Sequence, residues 1–143
     1  MKKFLRILGI SILGISLSSC DIDDGVNFHF QPLQIVSAEL PESFVLNEVF
    51  DITVTFIIPD NCTLFERFTV SRTATTTRQV AVMGAVLDKD DCINSDQEVT
   101  RTFKFEVKYT DTYLFQFYTG EDENGNPVFL EIEVPVDPGA TTP

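Results

Sequence analysis

The chain has no tryptophan, one histidine and three cysteines among its 143 residues. The single histidine leaves little room for acid–base chemistry. A nucleophilic triad needs an imidazole or equivalent base held beside Ser, Thr or Cys, and His29 is the only imidazole. It reads as a partly exposed strand-edge residue. No Cys-x-x-Cys pair is present, and His29 lies far in sequence from Cys62 and Cys92, so metal and redox chemistry lack their usual spacing. The apolar run Ile7 to Leu17 is too short to cross a bilayer as a helix. Basic residues are scarce as well: ten Lys and Arg stand against twenty-two Asp and Glu, a formal charge of −12. Phosphate recognition requires clustered positive charge, so nucleic acid is excluded as a natural partner.

What is present begins with a secretory leader. Lys2, Lys3 and Arg6 make a basic start, and the short uncharged apolar core follows. The next residues, Leu17-Ser18-Ser19-Cys20, resemble the lipobox of bacterial lipoproteins, in which an aliphatic residue and two small ones precede the cysteine. The resemblance implies a lipid on the Cys20 thiol, cleavage before Cys20 and acylation of the new amine. Two or more acyl chains hold a protein stably on a bilayer, at about 0.8 kcal/mol per buried methylene. The acidic run Asp21-Ile22-Asp23-Asp24 resembles the export signal of Bacteroidota lipoproteins, with Asp21, Asp23 and Asp24 as its carriers. Elsewhere among Gram-negative bacteria an Asp after the Cys implies inner-membrane retention, and a plain solvated tether is the third reading.

Cleavage before Cys20 leaves 124 residues, enough for one modest domain. Losing Lys2, Lys3 and Arg6 brings the formal charge to −15. Such an acidic surface suits solubility, cations or basic partners. The two remaining cysteines, Cys62 and Cys92, are most simply read as one disulfide in an exported chain, contributing roughly 3 to 4 kcal/mol. The expected organisation is a leader over residues 1–19, a lipidated cysteine and acidic tether over 20–27, a β domain over 28–136 and a disordered tail over 137–143.

From Val26 onward the pattern has period two, with no convincing helical stretch. Seven strands are expected: Leu33 to Leu40 after an interruption at Pro32, Val49 to Ile58, Leu64 to Arg72, Gln79 to Leu87, Val99 to Tyr109, Tyr113 to Thr119 and Val128 to Val136. Ile52, Val54 and Phe56 should face inward opposite Asp51, Thr53 and Thr55. Phe68, Val70, Phe103, Phe105, Val107, Tyr109, Tyr113, Phe115, Phe117, Val128, Leu130, Ile132 and Val134 should also face the core. Asn124-Gly125 is a strong hairpin signal.

Seven one-faced strands suggest two packed antiparallel sheets. The segment Asp111-Thr112-Tyr113-Leu114-Phe115 resembles the tyrosine corner of immunoglobulin-like β-sandwiches. That resemblance implies a seven-stranded antiparallel immunoglobulin or fibronectin type III-like sandwich, with Phe115 where a true immunoglobulin domain has its second Cys. It also implies that the loops holding Cys62 and Cys92 share one pole with the start of the first strand. The chain departs from the family in lacking its Trp and its inter-sheet disulfide. Another all-β barrel or sandwich remains open.

Two places invite functional readings. Asp88, Asp90, Asp91, Asn94, Asp96 and Glu98 form an oxygen-rich loop of the sort that holds Ca²⁺. It lacks the glycine of the helix-flanked calcium loop, so an acidic loop pinned by Cys92 is the plainer reading; Asp88, Asp90, Asp91 and Asp96 are the calcium candidates. The outward face of the last two strands carries Leu114, Gln116 and Tyr118 opposite Phe129, Glu131 and Glu133, either a ligand face or ordinary cross-strand stabilisation. The sandwich resemblance further implies that the turn Thr73 to Thr77, flanked by Arg72 and Arg78, lies at the pole away from the anchor. The function expected is a non-catalytic binding or accessory module, lipid-anchored at the outer membrane or cell surface and recognising a protein or glycan. The alternatives are a periplasm-facing envelope-assembly lipoprotein and, further behind, an exported enzyme or protease inhibitor.

Overall fold

The computed structural model describes residues 25–139. The leader, Cys20 and the acidic residues Asp21, Asp23 and Asp24 lie outside the described residues. The described part is all-β, with ten strands.

The longest alternating segment sets the inner layer. In β4 (Val49–Asp60), Ile52, Val54 and Phe56 are fully buried, while Asp51, Thr53 and Thr55 point away. This strand is the middle of a three-stranded sheet, flanked by β2 (Ile35–Glu39) and β7 (Asn94–Glu106). On its outer face, Thr53 meets Thr102 and Thr55 meets Thr100, each with hydroxyls 2.9 Å apart, and Lys104 Nζ lies 2.9 Å from Asp51. These are self-contained cross-strand pairs.

The facing sheet is built around β6 (Thr77–Leu87). Along one side runs β5 (Thr63–Arg72), antiparallel. The other side is shared. β1 (Phe28–Leu33) pairs antiparallel with Val82 to Leu87, and β8 (Tyr113–Glu121) pairs parallel with Thr77 to Val80. β9 (Pro127–Val134) completes the sheet against β8. A small parallel pair, β3 (Phe44–Val45) with β10 (Val136–Asp137), closes one end.

Aromatic contacts join the two sheets across one core. Phe56 lies 5.5 Å from Phe65, Phe68 4.9 Å from Phe103 and Phe105 5.0 Å from Phe115, measured between ring centroids. Phe44 touches Phe50, Phe105, Tyr113 and Phe115. Phenylalanine thus fills the interior of a chain without tryptophan, and truncating one such ring would cost about 3 to 5 kcal/mol. Tyr113 is fully buried. Its hydroxyl accepts hydrogen bonds from the backbone N–H groups of Lys108 at 3.0 Å and Tyr109 at 3.1 Å, fastening the β7–β8 connection. Cys62 and Cys92 form a disulfide that ties the start of β5 to the β6–β7 connection.

Several expectations need correction. Pro32 does not interrupt a strand but lies within β1, opposite Met83. β1 is bonded along one side only, where a residue without an N–H is tolerated. The single strand expected over Leu33 to Leu40 is two, because the chain crosses between sheets at Gln34. Two pairings are parallel rather than antiparallel: β7 sits in the opposite sheet, so β6 and β8 run the same way after two crossings. Val70, Val128 and Leu130, expected inward, are exposed. They belong to β5 and β9, the outer strands of the wider sheet, which the three-stranded sheet does not fully cover. Asp137, expected in the tail, instead pairs with Val45 and accepts a 2.8 Å hydrogen bond from the Ser43 hydroxyl; residues 140–143 lie outside the described residues.

The candidate site at the β5–β6 turn

The residues singled out in the sequence fall at three separate places. At the end where the chain enters, Asp88 accepts a backbone bond on neither of its oxygens but lies 3.0 Å from His29 Nδ1, and its own N–H donates to Asn27 O. The acidic stretch does not converge on a cation. Asn94 to Glu98 are drawn into β7 and pair with β4, with Glu98 opposite Ile57 and Asn94 opposite Asp60. Ser95 and Asp96 fall in the register shift of that pairing, between Gln97 opposite Ile58 and Asn94 opposite Asp60. Among the described residues, no three acidic, histidine or cysteine side chains group as metal ligands do.

On the outer face of β8 and β9, Leu114 stands opposite Glu133, Gln116 opposite Glu131 and Tyr118 opposite Phe129. The Tyr118 and Phe129 rings are 6.3 Å apart, edge to face. Gln79 Nε2 donates to Gln116 Oε1 at 3.2 Å, and Gln116 Nε2 donates to Glu131 Oε1 at 2.7 Å. Burial, with Glu121 adding to it, raises the Tyr118 pKa. The face is a ladder whose polar groups satisfy one another. It has the chemistry of cross-strand stabilisation.

The opposite end of β6 differs. Phe28 lies beside Leu87, whereas Arg72 lies beside Arg78 at the start of β6. The turn Thr73 to Thr76 therefore stands about 30 Å from the end where the chain enters, at roughly 3.3 Å per strand residue. Alternation with Val80 and Val82 directs Arg78 inward, and it is buried. Its guanidinium lies over the rings of Tyr113 at 5.3 Å and Phe105 at 5.8 Å. From there Nη1 reaches the carbonyl oxygens of Ala74 at 3.2 Å, Thr75 at 3.1 Å and Thr77 at 2.9 Å. A further 3.3 Å bond from Thr73 N–H to Thr77 O closes the turn. Burial lowers the Arg78 pKa; Tyr113 opposes that effect, Arg72 adds to it and Tyr109 opposes it.

Arg78 thus braces the turn from beneath, and its neighbour is left for other work. Arg72 is exposed, and its Nη1 donates to Tyr109 Oη at 3.0 Å. Arg72, Thr73, Ala74, Thr75 and Tyr109 line an open depression of about 480 Å³. No carboxylate lines it. Among the described residues the ion pairs are His29–Asp88, Arg67–Glu66, Lys104–Asp51 and Lys108–Glu106, so neither Arg72 nor Arg78 has an acidic partner. A fixed turn, an unneutralised guanidinium and several hydroxyls form a place suited to polar ligand binding.

Sequence reasoning put Thr73 to Thr77 between two arginines at the far pole but gave them no role, and it counted Tyr109 as a core residue. The usable signal was the pair of arginines in so acidic a chain. The partnership of Arg72 with Tyr109, 37 residues away, depends on which strands meet at that end. No protein-family model, no curated protein and no solved structure matches this chain.

Proposed function

We propose that this chain is a lipid-anchored, non-catalytic binding module of immunoglobulin-like β-sandwich type, displayed at the outer membrane and facing the cell exterior. The observation that carries the reading is the position of the β5–β6 depression at the end of the domain away from the amino terminus. A chain held at Cys20 presents that end outward, as a receptor for a glycan or protein would.

The sandwich reading is supported by the shared core of the two sheets and by the Tyr113 hydroxyl bonded to backbone just upstream, the arrangement of a tyrosine corner. On this reading β2, β4 and β7 stand for one sheet of that fold, and β8 and β9 for two strands of the other. The parallel partnership of β6 with β8 is a departure, since the family pairs its strands antiparallel. Absence of catalysis is inferred from chemistry: His29, the sole imidazole, is hydrogen-bonded to Asp88 rather than to a nucleophile.

The anchor is tested by metabolic labelling with a radioactive fatty acid. Label should enter the wild type and be lost in Cys20→Ser, with release of the variant from membranes. Unlabelled wild-type protein would overturn the anchor. Protease added to intact cells should remove the domain, and replacing Asp21, Asp23 and Asp24 by Ala should protect it. Protection of the wild type would instead favour a periplasm-facing envelope role.

A further inference from the structure

Arg72 contributes one contact to the protein, through Nη1 to Tyr109 Oη. A guanidinium carries five N–H donors in a planar fork matched to a carboxylate. The remaining donors of Arg72 have no protein acceptor among the described hydrogen bonds and stand at the wall of the β5–β6 depression. Arg78 lies next to it, also without an acidic partner, so two positive charges are adjacent. This occurs on a chain whose formal charge is −12. Arg67, Lys104 and Lys108 are paired with carboxylates, whereas the exposed Lys89 and Arg101 are not; what sets the β5–β6 turn apart is that two unpaired cations, Arg72 and Arg78, stand side by side there. The positive charge at this turn is left for something outside the chain.

The rest of the lining narrows the choice. Thr73 and Thr75 bring hydroxyls, Tyr109 brings an aromatic wall, and Ala74 is the sole aliphatic side chain. No apolar slot exists for a peptide side chain. The depression is also formed by a turn rather than along an open strand edge, so it offers no ladder of N–H and C=O groups to an extended peptide. Its size is within the range of small-ligand sites. We infer that the depression lined by Arg72, Thr73, Thr75 and Tyr109 binds a carboxylated sugar residue of an acidic glycan. The carboxylate lies against the Arg72 fork, ring hydroxyls exchange hydrogen bonds with Thr73 and Thr75, and the ring rests near Tyr109. Arg78 acts as a positioning residue, holding the turn through Ala74, Thr75 and Thr77.

This inference rests on the binding-module reading and names the ligand class for its site. The test uses the full lipidated chain in detergent on an array of uronic- and sialic-acid glycans, their carboxyl-methylated counterparts and neutral glycans, with a set of carboxylate-ended peptides beside them. At least one acidic glycan should be retained and its methyl ester should bind at least tenfold more weakly. Arg72→Gln should reproduce that loss with an unchanged melting temperature, and Arg67→Gln should bind as the wild type does. Equal binding of acid and ester, or undiminished binding by Arg72→Gln, overturns the proposal. So does retention of peptides alone, or of no acidic glycan. Arg72-dependent capture of a neutral glycan or a peptide would leave the binding module standing while removing the acidic sugar.

Discussion

Gly84 and Leu33 share the space of one side chain: a Cβ built on Gly84 would stand 2.9 Å from Leu33 Cδ2. Leu33 is buried in the core, so its side chain can give way only by displacing packed neighbours. Gly84→Ala should therefore destabilise the protein by about 1 to 3 kcal/mol in urea unfolding. Adding Leu33→Ala should cost less in that background than in the wild type. Costs that add within about 0.5 kcal/mol would show the two positions to be independent.

Removing the Tyr113 hydroxyl leaves the ring in place but strips the acceptor shared by the Lys108 and Tyr109 N–H groups. Tyr113→Phe should cost about 1 to 3 kcal/mol. Amide exchange at Lys108 and Tyr109 should quicken more than at β4. Unaltered protection at those two amides would mean that the corner is held by other contacts.

The disulfide spans a sequence separation of 30 residues between Cys62 and Cys92. On the chain-entropy model, replacing both by Ser should lower the unfolding free energy by about 3.5 kcal/mol. Treating the wild type with reductant should move its melting temperature toward that of the double variant.

Asp122 Oδ1 accepts backbone bonds from Asn126 at 2.9 Å and Asn124 at 2.8 Å, and both its oxygens lie near the Asn126 amide. Bonds from Asn126, followed by that from Asn124, hold its pKa below the usual carboxylate range. A depressed folded pKa stabilises the turn above the unfolded pKa, and that contribution is lost as pH falls through the folded one. In an acid titration followed by NMR, the Asn124 and Asn126 amides should shift below the ordinary aspartate range. Asp122→Asn should abolish that transition.

Arg78→Met keeps an apolar stem over Tyr113 and removes the contacts to three carbonyls. Hydrogen exchange should rise at the Thr73 and Thr77 amides while β4 stays protected. Stability should fall by about 1.5 to 3 kcal/mol.

Alternation was legible where a strand has one buried face. Ile52, Val54 and Phe56 follow from period two alone and are fully buried, and Asn124-Gly125 sets a hairpin that puts Tyr118 opposite Phe129. Period two assigns a face but no neighbour, so the parallel partnership of β6 and β8 was invisible, as was the crossing at Gln34. The exposure of Val70, Val128 and Leu130 depends on the width of the opposing sheet, which their own strands do not encode. At the candidate site, Arg72 was visible as a charge, but its freedom from carboxylates is a property of the assembled end.

The pairing of β1 with β6 also fixes how the domain carries a mechanical load. β1 enters beside Leu87 and runs back toward Val82, while the Arg72 turn lies at the other end of β6. A pull between the amino end and that turn acts along both strands in opposite directions. The six paired residues of β1 are then strained together in shear, instead of being peeled apart one after another.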